Sequence, residues 1–144
     1  MLAAPPACHA SQLAVTLGGS DGTAGTIYYT ILFRNTSGTT CSLRGYPGVS
    51  SVGGADGHQI GSAARRDPKT VVTVVLRPRA FANASYGQAE ALNYPKARCH
   101  PESARGLRVY SPNVRSARYL ALKHLACSST GVGDSHVAPL RAGR

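Results

Sequence analysis

The stretch TTCSLRGYPGVSSV, Thr39–Val52, holds a cysteine six residues before a Pro-Gly pair, between two runs of apolar and β-branched residues. Proline presets φ for the second position of a β-turn, and glycine supplies the positive φ that a type II turn needs at the third. We therefore predict a type II turn centred on Pro47 and Gly48. The segment VSSV, 49–52, then starts a third strand, and a disulfide at Cys41 would fix the corner before it.

Two predicted strands precede this corner. The segment 12–19, QLAVTLGG, and the segment 26–35, TIYYTILFRN, both alternate between apolar and polar residues. This period of two is typical of strands with one buried face, here the face with Leu17 on the first strand and Phe33 on the second. The turn-rich segment 20–25 between them predicts an antiparallel hairpin whose paired residue numbers sum to about 45.

The four cysteines can pair in three ways, and their spacing alone does not choose among them. Extending the first hairpin brings Cys8 towards Cys41. The segments 106–112 and 119–128 predict a second hairpin, with paired numbers that sum to about 230, which brings Cys99 towards Cys127. We predict these two disulfides, and each would contribute about 3–4 kcal/mol in the chain-entropy model. Such bonds persist in oxidising compartments, and the absence of a C-x-x-C pair argues against a zinc site.

The rest of the chain also indicates short strands. The run 70–78, TVVTVVLRP, predicts a strand that is central or buried on both faces. A short strand is expected around Gln59 and Ile60, another at 80–88 and a last edge strand at 136–140. The result is an all-β immunoglobulin-like sandwich of about 7–9 short antiparallel strands, with a small closed barrel as the alternative. We expect one domain over residues 1–144, with a core from about 8 to 140 and flexible tails, the C-terminal tail RAGR included.

The chain is strongly basic, with 16 Lys and Arg residues against six Asp and Glu and a formal net charge of +10. Polyanionic partners are therefore plausible, although nucleic acid is disfavoured by the lack of an aromatic-rich binding motif. No run of about 18 apolar residues indicates a membrane span. The first residues do not form a signal peptide, and we expect that an export segment was removed and Met1 added. The domain is expected to be monomeric and secreted or associated with the cell envelope.

The string from Asn35 to Gly48, followed by GHQIG, VVLRP, GLRVYSP and ACSS, resembles a domain of unknown function, the four-two-three-two family. The similarity covers roughly Cys8 to Leu140. This family is common in the secreted and lipid-anchored proteins of actinobacteria, so the resemblance implies that the domain is exported, has a mainly β fold and contains two disulfides. It supplies no catalytic residues. Related domains often carry a Trp that this sequence lacks, and we expect Tyr86 to occupy the position of that Trp. This sequence also has Pro78-Arg79 where the family carries Pro-Gly.

No catalytic, cofactor-binding or metal-binding set is predicted. Ser50 and Ser51 do not have the spacing of a nucleophile elbow, and we interpret them as strand serines that face solvent. The five histidines lack metal-ligand spacing, and all six acids lie in predicted loops or turns. We therefore predict a protein that is not an enzyme and needs no cofactor.

The arginines are the one functional lead. The second hairpin is predicted to carry a candidate binding patch. Arg108 and Tyr110 are expected on its face away from Leu107 and Val109, near Arg118 across the ladder. Arg105 and Arg115 are expected at the two ends of the hairpin. The residues of this patch are Arg105, Arg108, Tyr110, Arg115 and Arg118. A second possible patch holds Arg65, Arg66, Arg77 and Arg79. Guanidinium groups next to tyrosine suit carboxylate, phosphate or sulfate groups on a polymer; the alternative is that these are dispersed charges that solvate the surface.

Two functions follow from this lead and from one loop. The first is an extracellular or cell-envelope interaction module that binds an anionic polymer or a protein partner through its Arg-rich face. The second is a secreted inhibitor of an exported hydrolase. In that alternative, the loop 92–103 would present Lys96 or Arg98 in extended form beside Cys99.

Overall fold

The computed structural model describes residues 4–144, so Met1 and the first residues of the predicted N-terminal tail lie outside the described range. Within this range the chain forms twelve strands and only short helices. The strands are β1 Leu13–Thr23, β2 Thr26–Asn35, β3 Cys41–Arg44, β4 Gly48–Gly53, β5 His58–Ile60, β6 Arg65–Arg66, β7 Thr73–Leu76, β8 Phe81–Ala89, β9 Pro101–Tyr110, β10 Arg118–Cys127, β11 Ser135–Val137 and β12 Arg141–Ala142. The helices are two 3-10 turns, Ala10–Gln12 and Ala91–Asn93, and the single-turn α1, Lys96–Cys99.

The strands build two main sheets and one small one. The larger sheet has the order β1-β2-β8-β11-β6, with β12 also paired to β8, and the second has the order β10-β9-β4-β5. Strands β3 and β7 form a separate pair. All strand pairs are antiparallel except β11 with β6. This architecture confirms the all-β sandwich, and the strands beyond the predicted seven to nine include pieces of two residues, too short to show a period.

The core lies between the two main sheets. Ile31 and Phe33 of β2 and Leu107 and Val109 of β9 are fully buried and belong to one cluster. These are the faces that the alternating patterns predict, since side chains two residues apart share one side of a strand. Burial of the two inner faces therefore sets which side chains of each sheet reach the outside.

Both predicted disulfides are confirmed. Cys8 is bonded to Cys41, with 4.8 Å between the Cα atoms, and Cys99 to Cys127, with 4.6 Å. The first bond is reinforced by the backbone, because Cys8 N donates to Ser42 O at 2.9 Å and Ser42 N donates to the carbonyl of Pro6. Part of the predicted N-terminal tail is thus paired with β3.

The register of the second hairpin differs from the prediction. Arg118 pairs with Val109, so the paired residue numbers sum to an odd number where an even one was predicted. A shift by an odd number of positions moves a residue to the other face of the sheet. A bulge between Ala121 and His124 changes the register again.

The corner after Cys41 also differs in detail. Gly45 has the positive φ, 114°, whereas Gly48 is extended and pairs with Tyr110 in the ladder of β4 and β9. The predicted type II turn at Pro47-Gly48 is therefore wrong, although the strand predicted after it exists as β4. The hydrogen bonds of the ladder hold Gly48 in an extended conformation, so Gly45 supplies the positive φ at this corner instead.

The apolar run 70–78 is not a central strand. Only Thr73–Leu76 forms a strand, β7, which pairs with β3 alone. Val74 and Leu76 are buried, but Val75 is 50% exposed. β-Branched residues favour a strand whichever face they lie on, but only one face of β7 packs against the core. The predicted frayed tail is also wrong, because Arg141–Ala142 pairs with β8 as β12.

None of the helices that residues 4–144 form has the length and apolar character needed to cross a bilayer.

Candidate functional site

Two residues of the predicted patch lie on its predicted face. Arg108 and Tyr110 alternate with the buried Leu107 and Val109 and so point to the outer face of the β10-β9-β4-β5 sheet. Arg108 Nη2 donates to Gln59 Oε1 at 2.6 Å, while its Nε is buried and has no hydrogen-bond partner. Arg108 is therefore anchored along this face by one edge of its guanidinium.

Arg118 is not part of that face. Because it pairs with Val109, its side chain lies on the side of the buried residues, and Nη2 donates to the carbonyl of Ala10 at 2.9 Å. The predicted position beside Arg108 is wrong for the register reason given above. Arg115 lies exposed in the β9–β10 connection, outside both strands.

Tyr119 takes the place predicted for Arg118. It pairs with Arg108 across the ladder, is 56% exposed, and donates its hydroxyl to the carbonyl of Arg105 at 3.0 Å. Gly106 makes this possible, because a Cβ there would lie 2.6 Å from a ring carbon of Tyr119. The local sequence signal for Tyr119 is its alternation with the buried Leu120, which places Tyr119 on the outer face.

A small cavity adjoins these residues. It has a volume of about 260 Å³ and is bordered by Arg105, Tyr119, Val52 and the glycine-rich connection 53–57. Arg105 Nη1 donates to the carbonyl of Gly54 at 2.9 Å, which ties the guanidinium to this connection. The structure thus brings Arg105 and Tyr119 together at this cavity, and Tyr119 pairs with Arg108 across the ladder.

The second predicted patch is divided between two elements. Arg65 and Arg66 form β6, where the Arg66 guanidinium carbon lies 5.3 Å from the ring centre of Tyr46. Arg77 and Arg79 instead belong to the turn between β7 and β8. The four residues are therefore not one surface element.

Histidine side chains engage three of the six carboxylates. His58 Nδ1 lies 2.8 Å from Asp56 Oδ1, and His58 Nε2 lies 2.6 Å from Glu102 Oε2. Hydrogen bonds to Asp56 and then to Glu102 raise the pKa of His58, and the same contact lowers the pKa of Asp56. His136 Nδ1 lies 3.0 Å from Asp67 Oδ2. The contacts of His58 link the β4–β5 connection to β9. The contact of His136 links β11 to the segment after β6.

A buried serine and histidine form the arrangement closest to catalytic geometry. Ser51 Oγ lies 2.8 Å from His124 Nε2, and His124 Nδ1 lies 2.8 Å from the carbonyl oxygen of Leu122. A carbonyl only accepts, so Nδ1 carries the proton and Ser51 donates to Nε2. Burial lowers the pKa of His124, which favours this neutral form. Ser51 is only 6% exposed and borders neither of the two cavities that His124 borders.

The burial of Ser50 and Ser51 corrects the sequence interpretation, which had both facing solvent; they are 8% and 6% exposed. Ser51 pairs with Leu107 on the core side, and Ser50 pairs with Arg108 on the outer face. Strand β4 lies between β9 and β5, and this central position explains the burial of Ser50 and Ser51.

The loop proposed for protease inhibition is not extended. Lys96–Cys99 forms α1, and His100 after it has a left-handed backbone with φ 50°. Protease inhibitors of the kind considered present an extended segment, so the shape expected for that alternative is absent from this loop. Directly after this helical turn, Pro101 begins β9.

Within residues 4–144, no group of three or more His, Cys, Asp or Glu side chains is placed to hold a metal ion. A protein-family profile, described as a domain of unknown function (DUF4232), matches residues 8–141. The chain belongs to the DUF4232 family. It has no match among the curated proteins or the solved structures.

The structure explains the most specific string of this DUF4232 domain, Asn35 to Gly48. Asn35 is fully buried, and its Nδ2 donates to the carbonyls of Thr39 and Leu76, each at 2.9 Å. Its Oδ1 accepts from the backbone N and the hydroxyl of Ser37, at 3.0 and 2.7 Å. Asn35 thus holds the loop before Cys41 against β7, which is a structural role.

Tyr86 has a structural role in this DUF4232 domain as well. This residue, expected at the position of the family's Trp, is fully buried, and its hydroxyl donates to Gln88 Oε1 at 2.6 Å. Gln88 Nε2 donates in turn to Asp134 Oδ2 at 3.0 Å, and that oxygen also accepts from Cys127 N at 2.9 Å. Burial raises the pKa of Tyr86, so the phenol stays protonated. Tyr86 therefore offers no aromatic surface to a ligand.

Proposed function

We propose that this domain is a non-catalytic extracellular binding module that holds an anionic polymer through its arginine side chains. One observation carries the proposal. In the part of the chain that the structure describes, every ion pair within 4.0 Å has a histidine as its basic partner. None of the 16 Lys and Arg side chains is therefore neutralised by a carboxylate at that distance.

The positions of the acids support this conclusion. Asp56 and Glu102 contact His58, Asp67 contacts His136, and Asp134 is buried in the Tyr86 network. Most of the negative charge is thus committed to local contacts. The arginines keep their positive charge for an external partner, although several of them use one N–H group in a hydrogen bond within the chain. Guanidinium groups bind carboxylate and phosphate through two parallel hydrogen bonds.

The burial of Ser51 supports a non-catalytic role. A nucleophile needs contact with a substrate as well as a general base, and Ser51 is 6% exposed and borders neither of the two cavities that His124 borders. The two disulfides support an extracellular setting, because such bonds persist under oxidising conditions.

The test is salt-dependent binding. Immobilised polyphosphate, poly-glutamate and heparin each present repeated anions, and uncharged dextran is the control. We expect binding to at least one polyanion, none to dextran, and an affinity that falls steadily as NaCl rises, because salt screens exposed charges. Failure to bind any of the polyanions, or affinity that ignores salt, would refute the proposal.

A further inference from the structure

Two guanidinium groups lie near one half-buried aromatic ring, Phe81, at the end of the larger sheet. Arg34 pairs with Phe81 across β2 and β8, and its guanidinium carbon lies 5.2 Å from the ring centre. The guanidinium carbon of Arg144 lies 4.7 Å from the same centre. The two charges are therefore at most about 10 Å apart. A ring attracts cations to its face and leaves the N–H edges of a guanidinium free to donate.

A third arginine, Arg79, lies in a strained turn next to Arg34. Ala80 N donates to the carbonyl of Arg77 at 3.0 Å, and Pro78 and Arg79 occupy the central positions. Arg79 has φ 72°, the left-handed conformation that a type II turn needs at its third position and that glycine normally supplies. The carbonyl of Arg79 accepts from Arg34 Nε at 3.3 Å, which holds the turn beside the ring.

A fourth arginine completes the group. Asn83 follows Phe81 by two residues and so lies on the same face, and Arg141 of β12 pairs with it. We define the Phe81 surface as Arg34, Arg79, Phe81, Arg141 and Arg144. Its four arginines are exposed, and none is in an ion pair with a carboxylate among residues 4–144.

We infer that the Phe81 surface is where the domain binds a phosphate-bearing polymer, and that Arg79 strengthens this binding at a cost in stability. The inference rests on the proposed function, because it names the surface and the ligand class. Several unpaired guanidinium groups within one strand end fit repeated phosphates better than a single small anion. An arginine with positive φ strains the backbone, and strain of this kind is often found at functional sites.

The experiment compares Arg79→Gly with Arg98→Ala, using inorganic polyphosphate as the probe and Tm as a second readout. Arg98 is an exposed residue of α1, so Arg98→Ala removes the same charge elsewhere. For Arg79→Gly we expect polyphosphate affinity at low salt to fall about fivefold. The slope of log affinity against log salt concentration should become shallower by about one. Tm should rise by about 2–4 °C. For Arg98→Ala we expect affinity within about twofold of the wild type.

The outcomes separate this inference from the proposed function. Equal losses for the two variants would mean diffuse attraction by net charge, which overturns the inference and leaves the proposed function standing. Wild-type binding to poly-glutamate or heparin without binding to polyphosphate would overturn the phosphate class alone. A lower Tm for Arg79→Gly would overturn the cost in stability. Absence of binding to all three polymers would refute the proposed function itself.

Discussion

Replacing Asn35 by alanine should destabilise the domain strongly, although the residue lies in no proposed binding surface. The substitution removes two donors and one doubly used acceptor from a fully buried position. The carbonyl of Leu76 is buried and would lose the Asn35 hydrogen bond, at a cost of about 1–3 kcal/mol. Thr39 and Ser37 are nearer to solvent, so water would replace part of their loss.

The cavity left by the amide adds to this cost, and we expect a total of about 3–5 kcal/mol. That is a large part of the roughly 5–15 kcal/mol by which domains are stable. Urea unfolding followed by far-UV circular dichroism measures the loss, with both disulfides intact. Far-UV detection suits a chain that has seven Tyr and no Trp.

The matched control is Asn93→Ala, which removes one exposed hydrogen bond from Asn93 Nδ2 to the carbonyl of Gly25. We expect a change within about 0.5–1 kcal/mol. Asn35→Asp sharpens the test, because its second oxygen would face two carbonyl oxygens in a buried site. It should be less stable at about pH 7 than at about pH 4, where protonation restores a donor. A loss below about 1 kcal/mol for Asn35→Ala would refute the reasoning.

Three further predictions concern other contacts. The pKa of His58 is raised on folding, so its contribution is complete below the unfolded pKa of about 6.5 and disappears as pH rises through the folded value. His58→Gln should therefore lower Tm more at about pH 5 than at about pH 8.5, and equal losses at the two pH values would contradict this. Ser51→Ala leaves the half-buried Nε2 of His124 without its partner, which should cost about 1–2 kcal/mol in urea unfolding at about pH 7.5; unchanged stability would disprove the contact. Replacing Cys8 and Cys41 together by serine should cost about 3–4 kcal/mol, and a loss near zero would show that this bond constrains the unfolded chain little.

Covalent links and inner faces could be predicted from the sequence because their signals are local. The alternation in β2 places Phe33 in the core, and the hairpins bring each cysteine near its partner. This holds even though the register of both hairpins differs from the prediction, since the paired numbers sum to 48 or 49 in the first and to 227 or 228 in the second. The pairing of the cysteines can be predicted even when the register is wrong by a few residues. The face on which Arg118 lies cannot, because a register error of one residue moves its side chain to the other face of the sheet.

The remaining errors come from tertiary context. Nothing in a run of β-branched residues says that β7 would have one partner and leave Val75 half exposed. The Phe81 surface could not be predicted either, because Arg34, Phe81 and Arg144 are far apart in the chain and meet only through sheet pairing. One local signal was present, since Pro78-Arg79 occupies a place where glycine suits the turn.

Strand β8 has a consequence for the order in which the chain can fold. One of its edges is covered by β2, but the other is covered only by β11 and β12, from residues 135–142. A polypeptide delivered with its N-terminus first therefore carries β8 with one unpaired edge until residues 135–142 have emerged. Unpaired edges invite association with other chains. Completion of the larger sheet therefore has to wait for residues 135–142, and β8 is open to pairing with another chain until then.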